Sequence, residues 1–100
     1  MLVNYKMFED MEACEPALEW FKANFEGDVE FDSVYPKITD YSWALWLIRY
    51  CSFAQTNEMM EHYKSLNPSY NNVRWLMSNC DFAKEYFERC RAEGVKKCQI

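Results

Sequence analysis

The residues of this chain that could carry out chemistry are a single histidine, five cysteines and two pairs of neighbouring carboxylates. His62 could act as a general base, but a base needs a nucleophile and an orienting acid around it, and the sequence nominates neither. The acid pairs, Glu9 with Asp10 and Glu26 with Asp28, could support hydrolysis only if burial raised their pKa values. Because both pairs flank turns and helix starts, helix capping explains them. We therefore expect no catalytic residue and no enzymatic activity.

The five cysteines are spaced by 37, 29, 10 and 8 residues, without a C-x-x-C pair. This spacing matches no zinc-binding pattern, so we expect neither a metal nor a cofactor. Cys51, Cys80 and Cys90 fall at apolar positions of predicted helices, as small core residues do. The N-terminus lacks the features of a secretory signal, which favours reduced thiols. A thiol-dependent regulator that uses Cys14 or Cys98, the cysteines nearest exposed ends, stays open as an alternative.

Charge is distributed unevenly along the chain, whose net charge is −5. Residues 1–40 hold ten acids and three lysines, a net charge of −7, whereas residues 41–100 hold six acids and eight bases. An acidic surface repels nucleic acid and attracts basic partners, or it serves only solubility. The longest apolar run, Trp43–Ile48, is far shorter than the roughly 20 residues that span a bilayer. We expect no membrane partner and a cytoplasmic location.

A second charge pattern lies in the C-terminal half, where basic residues occur near Tyr70 and Trp75. These basic residues are Arg74, Lys84, Arg89, Arg91, Lys96 and Lys97. Basic side chains interleaved with aromatics are typical of nucleic-acid-binding surfaces. Three glutamates interrupt the series and the isoelectric point is about 4.8, which disfavours direct nucleic-acid binding.

The elements that must position these residues are helices. The chain has 100 residues, half of them apolar, with two glycines and three prolines. This length predicts a single domain over residues 1–100. The low glycine and proline content argues against a sandwich or barrel. We predict an all-α fold, a compact bundle of about five or six short helices, with either a short strand or the approach to a helix within residues 1–13.

Capping residues and apolar spacing set the helix positions. These signals predict six helix starts, and Gly94 is predicted to end the last helix before a frayed tail. These starts are Glu15, Asp28, Thr39 or Asp40, Thr56 or Asn57, Ser69 or Asn71, and Asp81. Residues 28–38 also permit a strand, but we favour a helix with Phe31, Val34, Tyr35 and Ile38 facing inward.

The helix that follows Asp40 is apolar on nearly all sides, which is typical of a core helix. Trp43, Trp46, Leu47 and Tyr50 could form a binding stripe, but we assign them to the core. Ala44, Ile48 and Cys51 are expected to fill the other side of the same helix.

The aromatic content is the stronger indication of function, because 18 aromatics exceed what a core of 100 residues readily hides. Tyrosine and tryptophan are favoured at binding surfaces. Trp20, next to the inward Phe21, and Trp75, next to the inward Leu76, are expected to point outward. Acids border Trp20. We predict a partner-binding surface formed by Glu19, Trp20, Glu26, Asp28, Glu30 and Asp32.

One part of the chain resembles a known type of module. The pattern is Ala13-Cys14 before a helix that carries Trp20-Phe21, then Asn24-Phe25, then Asp40 and Trp43-x-x-Trp46-Leu47. Over residues 13–48 it resembles a small helical module of uncharacterised phage and bacterial proteins. The resemblance implies an origin in a phage or mobile element, and it implies no catalytic residue.

Three functions follow as hypotheses. The first is a non-enzymatic protein that binds a partner with a basic surface; its sharpest version is a phage-encoded inhibitor of a host nucleic-acid-binding complex such as a CRISPR effector (an anti-CRISPR protein). The second is a structural module that buries its aromatics in a homodimer. The third is the thiol-dependent regulator.

Overall fold

A computed structural model describes residues 1–93, which form seven α-helices and one two-stranded sheet. The all-α class is confirmed. Six helix starts were predicted, and the additional seventh helix lies within residues 1–13. The described chain divides into two compact units, Met1–Lys37 (unit 1) and a second that begins at Ile38 (unit 2). The predicted cap Gly94, the tail residues after it and Cys98 lie outside the described residues.

Unit 1 begins with a strand and a short helix, so both alternatives for residues 1–13 are realised in turn. The elements of unit 1 are β1 (Leu2–Val3), α1 (Tyr5–Asp10), α2 (Glu15–Asn24), β2 (Val29–Glu30) and α3 (Phe31–Val34), followed by a single 3-10 turn at Tyr35–Lys37. Asn4 caps α1 by accepting a hydrogen bond from the Met7 amide at 2.8 Å. Such a cap satisfies one of the amides that a helix start leaves without a partner.

The prediction of a helix capped by Asp28 is wrong. Val29 and Glu30 are extended because they pair antiparallel with β1, with Leu2 opposite Glu30 and Val3 opposite Val29. The helix therefore starts only at Phe31, and Asp28 instead accepts a hydrogen bond from the Asn4 side chain at 2.9 Å.

The core of unit 1 is aromatic. Phe8 and Phe21 lie edge to face with ring centroids 5.4 Å apart, a favoured aromatic geometry. Val3 of the sheet and Phe31 and Val34 of α3 are also buried. The sheet and α3 therefore contribute apolar side chains to the interior of unit 1, as α1 and α2 do.

Between residues 38 and 93, unit 2 contains four α-helices whose starts the sequence predicts correctly. They are α4 (Tyr41–Tyr50), α5 (Asn57–Ser65), α6 (Tyr70–Asn79) and α7 (Asp81–Ala92), with one 3-10 turn at Ser52–Ala54. Asp40, Thr56 and Ser69 are the caps, each accepting a hydrogen bond from a backbone amide of the first helical turn. Helix α4 packs against α5 and α6, and α7 packs against α5 and α6.

The assignment of Tyr50 to the core is wrong, because its exposed fraction is 57%. Trp43 and Trp46, assigned to the core with it, are only half-buried. Ala44, Leu47, Ile48 and Cys51 are buried, as predicted. They share one helix face because they occupy positions i, i+3, i+4 and i+7. Tyr50 stands outside this set, one turn after the half-buried Trp46. The side of α4 that carries Trp46 and Tyr50 therefore reaches the surface.

Alkaline pH is expected to destabilise the fold. Burial raises the pKa of the Cys51 thiol from 9.0 to about 12 and that of the Tyr63 hydroxyl from 10.0 to about 12, the latter aided by Tyr41. Above the ordinary values the unfolded chain releases these protons while the folded chain keeps them. The stability is therefore complete below about pH 9 and falls as the pH rises toward 12.

Urea midpoints measured from neutral to strongly alkaline pH check this expectation. We expect the midpoint to fall steadily above about pH 9, and to fall less steeply in a Cys51→Ala/Tyr63→Phe variant, which lacks both groups. A wild-type midpoint that stays constant, or a variant with the same slope, contradicts it.

Candidate functional site

The six predicted contact residues all lie in unit 1. Glu19 and Trp20 are on α2, Glu26 and Asp28 are on the loop between α2 and β2, Glu30 is on β2 and Asp32 is in the first turn of α3. The five acids are exposed, and Trp20 is half-buried rather than fully outward.

An open depression of about 610 Å³ brings two of the predicted residues together. Glu26 and Asp28 line it, along with the rings of Tyr5, Phe21 and Phe25. Glu19, Glu30 and Asp32 do not line it. Lys6 and Lys22 also line it, and the Lys37 ammonium group lies 5.3 Å from the Phe25 ring centroid, so the depression offers apolar rings beside charges of both signs.

Aromatic contacts and a glycine shape this depression. Phe25 lies 5.1 Å from Phe21 and 5.6 Å from Trp20, centroid to centroid, so Trp20 supports a wall of the depression. Gly27 has φ +67°, a left-handed conformation that side chains rarely adopt, and turns the chain from α2 toward β2. The bond from Asn4 to Asp28 ties the far end of this loop to the start of α1.

The electrostatic character of unit 1 is strongly negative, because residues 1–37 hold nine acids and three lysines, a net charge of −6. Lys6, on the depression, is engaged by Asp10 at 2.9 Å and by Glu9 at 3.8 Å. The hydrogen bond to Asp10, with the charges of both acids, raises the pKa of Lys6. The positive charge of Lys6 is thereby offset within α1.

The carboxylates differ in whether they have partners within unit 1. Asp28 is held by Asn4, and Glu30 pairs with the Met1 ammonium group at 3.0 Å. The carboxylates of Glu19, Glu26 and Asp32 form no hydrogen bond or ion pair with any residue in 1–93. These three are therefore available to an external cation, and no rearrangement is needed to release them.

Among the described residues, His62 and the four cysteines are not gathered into a metal site. His62 donates from Nε2 to the carbonyl oxygen of Ile38 at 2.8 Å. Cys51, Cys80 and Cys90 are buried and Cys14 is exposed. Within residues 1–93, no group of three or more His, Cys, Asp or Glu side chains could hold a metal ion.

A network of charged and polar groups that the sequence did not indicate joins α5 to α7. Tyr86 donates its hydroxyl hydrogen to Glu61, and Lys64 donates to the Tyr86 hydroxyl oxygen at 3.1 Å. Burial, followed by the bond to Glu61, raises the pKa of Tyr86. Because the phenol stays protonated, it acts as a structural donor and is unsuited to be a base.

A second surface feature lies on α4 and α6, where the sequence predicted an outward Trp75 but placed Trp46 and Tyr50 in the core. The Arg49 guanidinium carbon lies 4.4 Å from the Trp75 ring centroid and 5.3 Å from that of Tyr50, and the rings of Tyr50 and Trp46 are 5.7 Å apart. We call these four residues the aromatic–arginine cluster. The signal that could have found it is the i, i+3, i+4 spacing of Trp46, Arg49 and Tyr50.

Among residues 1–93, no helix combines the length and the apolar character needed to cross a membrane. Comparison of the chain with protein-family models, curated proteins and solved structures finds no match.

Proposed function

We propose that this chain is a non-enzymatic protein-binding protein and that unit 1 contacts a partner with a basic surface. The observation that carries the proposal is the net charge of −6 on unit 1 together with its apolar depression. Glu26 and Asp28 line this depression, as do Lys6 and Lys22. A partner that inserts an apolar side chain and flanks it with lysine or arginine complements this arrangement in both shape and charge.

The available carboxylates strengthen the electrostatic part of the proposal. Glu19, Glu26 and Asp32 take part in no ion pair among the described residues, so a basic partner meets them at no cost in broken ion pairs. Exposed charges of this kind mainly raise the association rate and discriminate against acidic partners. Phe25, which Trp20 supports, supplies apolar area beside Glu26.

The sharpest form of the proposal is a phage-encoded inhibitor that works in the host cytoplasm and covers the basic surface of a nucleic-acid-binding complex, such as a CRISPR effector. Such complexes expose lysine and arginine because they neutralise phosphates. An acidic unit competes for those same side chains. The support for this form is the net charge of −6 on unit 1. A phage origin stays the expectation drawn from the sequence pattern of residues 13–48.

Affinity capture from a lysate of the cell that expresses the protein tests the proposal. The tagged full chain is compared with a Glu19→Lys/Glu26→Lys/Asp32→Lys variant, in which none of the replaced carboxylates has a partner in unit 1. The matched control is Glu58→Lys/Glu85→Lys/Glu88→Lys, which changes the net charge equally but on exposed positions of unit 2. Circular dichroism verifies that all three proteins are folded.

We expect one protein with a basic surface to be retained by the wild type and the control and lost in the unit 1 variant. Retention should also decrease as salt is added, because exposed charges are screened. The proposal is wrong if no protein distinguishes the wild type from the unit 1 variant, or if both triple variants lose the same protein equally.

A further inference from the structure

Unit 2 exposes large aromatic side chains on two helices that contact each other. Tyr50 on α4 is 57% exposed, and Tyr70 and Trp75 on α6 are 56% and 41% exposed. Clustered exposure of large apolar groups is informative, whereas a single exposed one is ordinary. Three of the four residues of the aromatic–arginine cluster are aromatic, and the fourth is Arg49.

The cluster is held in place before any partner arrives. Arg49 lies over the rings of both Trp75 and Tyr50, which fixes a ring from α6 against one from α4. The Nε and Nη1 atoms of Arg49 are buried without a hydrogen-bond partner among the described residues. Ordered rings and an ordered guanidinium lose little conformational freedom on binding, and Trp, Tyr and Arg dominate the binding energy at protein interfaces.

The charge around the cluster is opposite to that of unit 1. Helices α4 and α6 contain no aspartate or glutamate, although the chain has 16 acids, and they carry Arg49 and Arg74. Neither arginine forms an ion pair with a described residue. The positive charge on this face is therefore not neutralised by an acid within the described chain.

We infer that the aromatic–arginine cluster is a second interaction surface, which binds a protein segment carrying carboxylates beside an apolar side chain. Carboxylates are the groups that arginine recognises best, and the rings of Trp46, Tyr50 and Trp75 supply the apolar contact. This inference goes beyond the proposed function, because it concerns other residues and a partner of opposite charge.

Two other occupants fit the cluster less well. Nucleic-acid affinity grows with the number of phosphates that cations neutralise, and α4 and α6 offer two arginines in a chain of net charge −5. A symmetric contact with a second copy would bring each Arg49 near its equivalent, because the same patch faces itself across a two-fold axis. Like charges facing each other oppose such a contact.

Nuclear magnetic resonance of the 15N-labelled full chain tests the inference, because each of the four tryptophans has an indole N–H signal. Three probes are titrated: a short peptide of alternating glutamate and leucine, the same peptide with lysine in place of glutamate, and oligothymidylate. Trp75→Ala, Trp46→Phe and Trp20→Phe identify the three indole signals that the test compares. Arg49→Gln and Arg49→Lys test the arginine, and Arg91→Gln, on an exposed residue of α7, is the matched control.

We expect the acidic peptide to shift the Trp75 and Trp46 signals saturably and to leave Trp20 unchanged. Trp75→Ala and Arg49→Gln should each raise the dissociation constant of the acidic peptide at least about tenfold. Arg49→Lys should raise it less, and Arg91→Gln by less than about twofold. Since Trp75 is exposed, its truncation should leave the remaining spectrum folded and keep the test valid if Arg49 variants unfold.

Any of four results overturns the inference: no saturable shift with the acidic peptide, equal shifts with the lysine peptide, binding of oligothymidylate in place of the peptide, or dilution-dependent line widths that reveal a dimer through this face. None of these results affects the test of unit 1, which uses different residues and a different readout.

Discussion

Replacing Phe87 by alanine is expected to lower the free energy of unfolding by about 3–5 kcal/mol. Phe87 lies on α7 in the interior of unit 2 and is 2% exposed. Its ring packs edge to face on Tyr86 with centroids 5.2 Å apart. Truncation removes the transfer free energy of the ring and leaves a cavity that its neighbours fill only in part. Urea unfolding of the full chain, followed by circular dichroism, measures the loss.

Phe82→Ala is the matched control, since it makes the same chemical change on the same helix at a half-buried position. We expect it to cost less than half as much, because less apolar area returns to water. Equal losses at the two positions would contradict the packing of α7 described above.

Removing the hydroxyl of Tyr86 is expected to produce the second large loss, about 1.5–3 kcal/mol in a Tyr86→Phe variant. That hydroxyl donates to the Glu61 carboxylate and accepts from Lys64, so its loss leaves two charged groups of α5 without their neutral partner. Hydrogen bonds to charged groups stabilise more than neutral ones. The same urea experiment measures it.

Tyr63→Phe provides the control for this prediction. Tyr63 is 0% exposed, and its buried hydroxyl has no hydrogen-bond partner among the described residues. Deleting it removes a desolvated polar group and keeps the ring, so the stability should stay constant or rise by up to about 1 kcal/mol. A cost in Tyr63→Phe as large as that in Tyr86→Phe would mean that hydrogen bonding does not distinguish the two tyrosines.

The helices of unit 2 could be predicted from the sequence because their starts depend on local chemistry. Asp40, Thr56 and Ser69 accept hydrogen bonds from amides two or three residues further on, and such caps are visible in a short stretch of sequence. The strand pair of unit 1 could not be assigned in the same way. Val29 is extended because Val3, far away in sequence, pairs with it, and no local signal reports that pairing.

The candidate surfaces were predictable only in part, for a related reason. The sequence places acids on residues 1–37 but does not show that Glu26 and Asp28 border rings from two different helices. It also placed Tyr50 in the core, because an apolar helix does not itself indicate which ridge faces its neighbours. The contact between Arg49 and Trp75 joins α4 to α6 and depends on how those helices pack.

The acids of unit 1 are proposed to bind a protein partner with a basic surface. The dissociation constant of the purified partner, measured at low and high salt for the wild type and both triple charge-reversal variants, tests it most directly. We expect the Glu19→Lys/Glu26→Lys/Asp32→Lys variant to bind about 10- to 100-fold more weakly at low salt, with a reduced salt dependence. The Glu58→Lys/Glu85→Lys/Glu88→Lys control should stay within about threefold of the wild type. Equal dissociation constants for the three proteins would contradict it.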